Sequence, residues 1–201
     1  MLTIAWDVDD VLNSLTRCWF DWWRRSRGDA GVMAFASFVE NPPHRILGLT
    51  RREYLASLDD FRLSEGGASL SPNPDVRRWF DAWGASSRHI AVSTTPLANA
   101  SNSSAWVMRH FGTWVRSYHV IPSPRDGDTL PAYDETKTEF LAWLGLADVL
   151  VDDSLANVRG ARSLGMDAVV VPQPWNGADG SVADALGALT RLIQQHDSGG
   201  R

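Results

Sequence analysis

The chain is short of the residues that mark several large protein classes. A single cysteine, Cys18, among 201 residues excludes an intramolecular disulfide and a cysteine-based metal site. No uninterrupted apolar run approaches the roughly 20 residues that a membrane-spanning helix requires. Basic side chains are outnumbered, 19 against 24 acidic ones for a net charge of −5, whereas a nucleic-acid polymer calls for a basic surface. The N-terminus enters a strand-like run directly, with no basic segment ahead of a long apolar one, so no secretory signal is expected. Together these absences lead us to expect a cytoplasmic protein that binds neither a membrane nor a nucleic-acid polymer. Lysine is the scarcest charged type. Of the 19 basic residues 18 are arginine, so the lone Lys137 invites a chemical reason, with chance as the plain alternative.

What is present is ordinary for a globular chain, 44% hydrophobic and 21% charged, and a packed core is expected. Leu2–Trp6, Ile90–Val92, Tyr118–Ile121, Val149–Val151 and Ala168–Val171 are short apolar runs that read as buried strands. Helical stretches with recognisable ends alternate with them. Pro74 opens one that Gly84 closes, Asn99–His110 is closed by Gly112, and Thr136-Lys137-Thr138-Glu139 is a capping box ahead of Phe140, Leu141 and Trp143. Ser154–Leu164, closed by Gly165, and Ser181–Gln195 complete the set, with a frayed tail expected over His196–Arg201. Strands alternating with helices predict a Rossmann-like α/β fold, a parallel sheet wound on both faces. The stretch between the first two strands is too long for a plain crossover. It holds Leu15–Arg25, an apolar stretch over Met33–Val39, and Thr50–Leu58, which opens with the capping box Thr50-Arg51-Arg52-Glu53. We therefore expect a core domain of residues 1–12 and 73–201, with residues 13–72 inserted as a helical cap above the carboxyl edge of the sheet, where open α/β folds bind ligands.

Acidic residues end two of the strands. Asp7-Val8-Asp9-Asp10-Val11 follows the first, and Asp152-Asp153 ends Val149-Leu150-Val151. Acidic residues also cap strand ends for no chemical purpose. In a parallel sheet, however, both ends emerge at one edge, and carboxylates converging there cannot all stay ionised without a cation. Magnesium suits such an all-oxygen site and keeps room for waters and a phosphate oxygen.

At this point the chain resembles the haloacid dehalogenase superfamily of aspartate-nucleophile phosphatases. Asp7-Val8-Asp9-Asp10-Val11 matches D-x-D-x-[TV] after an apolar strand, Val92-Ser93-Thr94-Thr95 supplies the hydroxyl of a second motif, Lys137 the cation of a third, and Asp152-Asp153 the paired acids of a fourth. The four occur in order and cover residue 2 to about residue 175. Within the superfamily the chain is most similar to the 5′(3′)-deoxyribonucleotidase group, through Ser93-Thr94-Thr95-Pro96, Ala105-Trp106-Val107, Phe111-Gly112 and Val171–Asn176. It departs from that group at Ala98 and Ser103, where basic residues are expected, and from the superfamily at Asp10, where glycine is frequent.

The resemblance implies a phosphomonoester hydrolase. Asp7 would be the nucleophile that forms an aspartyl-phosphate, and Asp9 the acid and then the base. Mg2+ would be held by the Asp7 carboxylate, the Asp9 backbone carbonyl and Asp153, with Asp152 acting through a bound water. That order follows the likeness of Asp153-Ser154-Leu155-Ala156-Asn157 to family segments whose first Asp touches the metal. Phosphate would meet Lys137, Thr94 and Thr95. Thr94 is chosen for the hydroxyl because Pro96 fixes the alignment, although a strand-end threonine also serves as a helix cap. The expected partner is a small phosphate ester, a (deoxy)nucleoside monophosphate first. A sugar phosphate, a specialised metabolite, or a non-catalytic phosphate-binding role are the alternatives. Trp19, Trp22 and Trp23 cannot all share one helix face, so at least one belongs to a core and another is a candidate to stack on a base. His44, Arg45, Arg51 and Arg52 are candidates for a second anionic group, or for plain surface solvation.

Overall fold

The five apolar runs are strands of one parallel sheet, β1 (Thr3–Trp6), β2 (Arg88–Thr95), β3 (Val115–Pro122), β4 (Val149–Asp152) and β5 (Asp167–Val170), in the order β3-β2-β1-β4-β5. The computed structural model describes residues 1–27, 33–131 and 133–199. Helices α1 (Leu15–Ser26), α2 (Arg51–Leu63), α3 (Glu65–Ala68) and α4 (Pro74–Trp83) lie between β1 and β2 in sequence. They are followed by α5 (Leu97–Phe111), α6 (Lys137–Leu144), α7 (Leu155–Ser163) and α8 (Val182–Gly199). The expected α/β class and two-sided winding are therefore present.

Alternation along the strands sorts the two faces. Ile4, Trp6, Ala91, Val149, Val151 and Val169 share one core with buried residues of α4, α5 and α8, while Ala5, Val92, Ile121 and Leu150 share a second core with Phe140 and Leu141 of α6 and Ala161 of α7. β1 is central, and Ile4, Ala5 and Trp6, the three residues before Asp7, are fully buried.

Three segments differ from the sequence reading. Helix α2 runs five residues past Leu58, because Tyr54, Leu58 and Phe61 form one buried stripe at helical spacing, and it ends only at Ser64. The Met33–Val39 stretch contains a short 3₁₀ turn, Phe35–Ser37, that sets Phe38 into the core. The tail is helical to Gly199, with residues 200 and 201 outside the described residues, since Leu189 and Ile193 bury one face of α8. The long excursion returns beside its point of departure. Asn13 pairs with Pro72 in an antiparallel bridge, and the Asn73 N–H donates to the Leu12 carbonyl at 2.8 Å.

One buried histidine gives this core a pH dependence. The Trp6 indole donates to His89 Nδ1 at 3.0 Å, which leaves Nε2 to donate to the Gly84 carbonyl at 2.9 Å. The ring is therefore neutral, and burial pushes its pKa down to about 4, with the Gly84 bond opposing. A depressed histidine contributes stability above its unfolded value of about 6.5 that is lost as pH falls toward 4. We expect the stability difference between the wild type and His89→Gln to shrink by about 3 kcal/mol from pH 7 to pH 4. Urea unfolding at both pH values measures it, and a constant difference would mean that the buried ring accepts a proton freely.

Candidate active site

The turn after β1 is the first half of the site. Asp7 is extended, Asp9 is extended (φ −75°, ψ 131°) and Asp10 is left-handed (φ 62°), a conformation that aspartate tolerates better than most residues. This is the position where the sequence departs from glycine, and local bonds hold it. Thr16 donates its N–H at 2.9 Å and its hydroxyl to the Asp10 carboxylate, Asn13 Oδ1 accepts from the Asp10 N–H at 3.2 Å, and Gln173 donates to the Asp10 carbonyl at 2.7 Å. Burial pushes the Asp10 carboxyl up to about 7, with the Thr16 bonds opposing and Asp9 and Asp7 adding to the rise.

The second half comes from β4 and α6. Capping box Thr136/Glu139 starts α6 at Lys137, whose buried ammonium lies 2.6 Å from Asp7 Oδ1 and 2.7 Å from Asp152 Oδ2. Burial works against the charged lysine, but Asp152 and Asp7 outweigh it and hold its pKa above the ordinary value. Asp152 is enclosed, accepting from Ser154 N–H at 2.7 Å and Asn157 Nδ2 at 3.1 Å as well as from Lys137. Gly160 lets α7 come close enough for this, because a Cβ there would collide with the Thr138 hydroxyl beside Lys137.

Asp153 has a different setting. Its Oδ2 accepts from the Trp175 indole at 2.8 Å, and Asn176 Nδ2 bridges the carbonyls of Asp153 and Val171 at 2.8 Å each. Burial pushes its carboxyl up to about 7, with Asp10 and Asp152 adding and Lys137 opposing. Burial also raises Asp7, against the pull of Lys137. Carboxylate oxygens of Asp7, Asp152 and Asp153 all lie within 4.8 Å of one another. Three acids against one ammonium leave an uncompensated negative charge in an all-oxygen cage, a donor set that fits a small divalent cation.

Asp153, Thr94 and Ser154 line a cavity of about 590 Å³ roofed by Tyr54, Arg62 and Arg125. The two predicted hydroxyls part company here. Thr94 faces the cavity, whereas Thr95 is buried with its hydroxyl accepting from Asn99 Nδ2 at 3.2 Å, leaving only its backbone to meet a ligand. Asp9 stands outside the carboxylate cluster. Its Oδ2 accepts from Arg62 Nη2 at 2.9 Å and its Oδ1 from Asn13 at 3.3 Å.

The α1 indoles are spent elsewhere. Trp19 is fully buried and donates to Ser57 at 3.1 Å, Trp23 is buried beside Phe20, and Trp22 packs on Phe61. None of the three is among the cavity-lining residues, where Tyr54 and Trp175 supply the aromatic surface. Of the four basic candidates in the insertion, Arg45 pairs with the Glu40 carboxylate and Arg52 lies 3.9 Å from Asp126 on the surface. The His44 ring lies 3.2 Å from the Pro42 carbonyl, and Arg51 reaches the cavity rim. Arg62, Arg125, Asn157 and Trp175 were not singled out from sequence. Trp175 and Asn157 sit in segments that carry the family likeness, so that signal was available.

No protein-family model matches the sequence, and no curated protein matches it. Solved structures do. A haloacid dehalogenase-like hydrolase of Streptococcus pneumoniae superposes with a TM-score of 0.64 at 13% identity, over 96% of this chain and 98% of that one. A haloacid dehalogenase-superfamily hydrolase of subfamily IA from Geobacter sulfurreducens gives 0.51 at 15%, over 94% and 96%. Protein tyrosine kinase A of Mycobacterium tuberculosis gives 0.59 at 20%, over 89% and 86%. Identities this low establish architecture, and one architecture carries several activities. The chain has the fold of the haloacid dehalogenase-like hydrolases.

Proposed function

We propose that the protein hydrolyses phosphate monoesters with Asp7 as nucleophile and a bound divalent cation, magnesium by the chemistry of the donor set. The observation that carries this reading is the meeting of Asp7, Asp152 and Asp153 around one buried ammonium at the carboxyl edge of the sheet. Asp7 attacks phosphorus, the ester P–O bond breaks, and the leaving oxygen takes the electron pair and a proton from Asp9. Water then attacks the aspartyl-phosphate, with Asp9 accepting the proton and Asp7 regenerated. Lys137 holds the Asp7 carboxylate in its attacking orientation and offsets charge on the phosphoryl group, and the Thr94 hydroxyl faces the cavity where phosphate oxygens would sit. The carboxylates of Asp7 and Asp153 and the Asp9 carbonyl would hold the cation, with Asp152 acting through a water. When bound, the cation would supply the positive charge that lets an anionic nucleophile approach an anionic ester. Residues 13–72 serve as the cover that excludes water.

For the substrate, the resemblance favours a (deoxy)nucleoside monophosphate. The inward packing of Trp19 and Trp23 takes two candidate stacking surfaces away and leaves Tyr54 and Trp175 in the cavity, so a sugar phosphate is supported equally. A panel of phosphate esters, run with magnesium and with EDTA, tests both levels. Hydrolysis of 4-nitrophenyl phosphate only with magnesium supports the enzyme, and its absence with tight phosphate binding marks a binding protein. Nucleoside 5′-monophosphates exceeding ribose 5-phosphate by about tenfold in kcat/KM would fit stacking worth about 1–3 kcal/mol, and equal rates would leave the sugar phosphate.

The metal reading makes its own prediction. Because Asp7 and Asp153 carry raised pKa values, cation binding must displace protons, so apparent magnesium affinity should rise from pH 6 to pH 8. Asp153→Ala should weaken it more than Asp152→Ala, since Asp153 opens on the cavity while Asp152 is enclosed by Lys137, Ser154 and Asn157. Magnesium titration of activity reads both, and the reverse ranking would exchange the direct and water-mediated ligands.

A further inference from the structure

Arg62 belongs to the insertion, 53 residues from Asp9 in sequence, yet its Nη2 lies 2.9 Å from Asp9 Oδ2. The contact is not a loose surface pair, because the side chains of Arg62 and Asp9 are only 9% and 22% exposed. The guanidinium is fixed from behind as well. Arg62 Nη1 lies 3.2 Å from Asp59 Oδ1, and Asp59 is gripped by Arg125 Nε at 2.6 Å and Nη2 at 2.9 Å. Arg125 in turn donates to the Ser123 carbonyl and hydroxyl, each at 2.9 Å, just past the end of β3. A planar fork shared between two carboxylates holds both at set angles, which a lysine cannot do. The remaining oxygen of Asp9 accepts from Asn13, so the rotation of this carboxylate is fixed on both sides.

From this chain of contacts we infer that Arg62 is a positioning residue for Asp9, fixing the orientation of its carboxyl for proton transfer. The inference rests on the proposed role of Asp9 in proton transfer. The competing description is a mechanical clip that fastens α2 to the sheet edge. The two differ in which substrates suffer when Arg62 is changed. A nitrophenolate leaves without a proton, whereas the alkoxide of a sugar phosphate needs one. Since kcat/KM covers events only through the first irreversible step, it isolates the delivery of that proton from the later hydrolysis of the aspartyl-phosphate. A clip that fails lets water in and harms both esters alike. A mis-aimed acid harms only the ester that needs it.

The test compares kcat/KM for ribose 5-phosphate and 4-nitrophenyl phosphate, at saturating magnesium, in the wild-type chain, Arg62→Met, Arg62→Lys and Asp59→Asn. Misplacing a reacting group by about 1 Å costs on the order of 100-fold. Arg62→Met should therefore lose about 30- to 100-fold on ribose 5-phosphate and no more than about fivefold on 4-nitrophenyl phosphate. Arg62→Lys should recover part of the loss on the sugar ester. Asp59→Asn, which loosens Arg62 without touching Asp9, should show the same selectivity at smaller size, and it carries the test if Arg62→Met does not fold. Equal losses on the two esters, or a lowered Tm with unchanged kinetics, would overturn the positioning role while leaving the phosphatase intact. A wild type inactive on both esters with magnesium would overturn the phosphatase reading and this inference with it.

Discussion

Asp7→Asn is expected to lower kcat by about 10³-fold or more while leaving the fold in place. A nucleophile acts as a unit with its acid and its electrostatic surroundings, so its removal forfeits most of the acceleration. The change is nearly isosteric, and the amide oxygen can still accept the Val8 N–H that Asp7 Oδ1 accepts at 2.7 Å. Stability should respond with the opposite sign. Burial, Asp152 and Asp153 all raise the Asp7 pKa, against Lys137, so the ionised carboxylate is an unfavourable occupant of the metal-free site. A carboxyl raised in the folded state weakens stability as pH rises from its unfolded value through its folded one. The metal-free variant should therefore melt at or above the wild-type Tm at pH 8, and it should gain less from magnesium. Calorimetry with and without the ion, beside steady-state kinetics, measures both halves. A folded variant with more than about a tenth of wild-type kcat would remove Asp7 from the nucleophilic role, well short of what loss of a unit costs.

The residues legible in the sequence are those whose position a strand end dictates. Asp7 and Asp152 close β1 and β4, which pair in parallel register through Trp6 and Val151. Two acidic strand ends therefore had to emerge side by side, and periodicity was enough to find them. Lys137 was legible through its capping box, which set the first turn of α6 and so the height of the ammonium above the sheet. Arg62 was hidden for the converse reason. Its partner is fixed by how α2 docks, a contact across 53 residues that no local pattern encodes. Ending α2 at Leu58 also removed it from the helix that carries it. The tryptophans of α1 show a third limit. Composition marked them as unusual, but whether an indole faces a core or a cavity depends on what packs above it, here Tyr54, Ser57 and Phe61 of α2. Thr94 and Thr95 are a milder case, since strand alternation predicts that one points out, but not which one meets the ligand.

The lone lysine should not tolerate replacement by this chain's usual cation. Lys137 Nζ sits between Asp7 Oδ1 at 2.6 Å and Asp152 Oδ2 at 2.7 Å, with its side chain 2% exposed. A compact ammonium fits that gap, and a planar guanidinium requires a wider one. Forcing it in would separate α6 from α7 at the tight Thr138–Gly160 contact or tilt Asp7 out of line. Removing one preorganised donor from a reacting centre costs about 10²–10³-fold in kcat, and Lys137→Arg should fall in that range despite keeping the charge. Lys137→Met separates charge from shape. It leaves two buried carboxylates without their cation, a loss of about 3–5 kcal/mol for a broken buried pair, at the low end here because Ser154 and Asn157 still serve Asp152. In that variant the Asp7 carboxyl, raised by burial and now without the opposing pull of Lys137, titrates at higher pH, so the stability deficit should shrink between pH 8 and pH 5 as it takes up a proton. Unfolding at the two pH values and kinetics at pH 8 separate the effects. Wild-type turnover in Lys137→Arg would reduce the single lysine to a coincidence of composition, and a deficit independent of pH in Lys137→Met would mean that Asp7 does not depend on it for its charge.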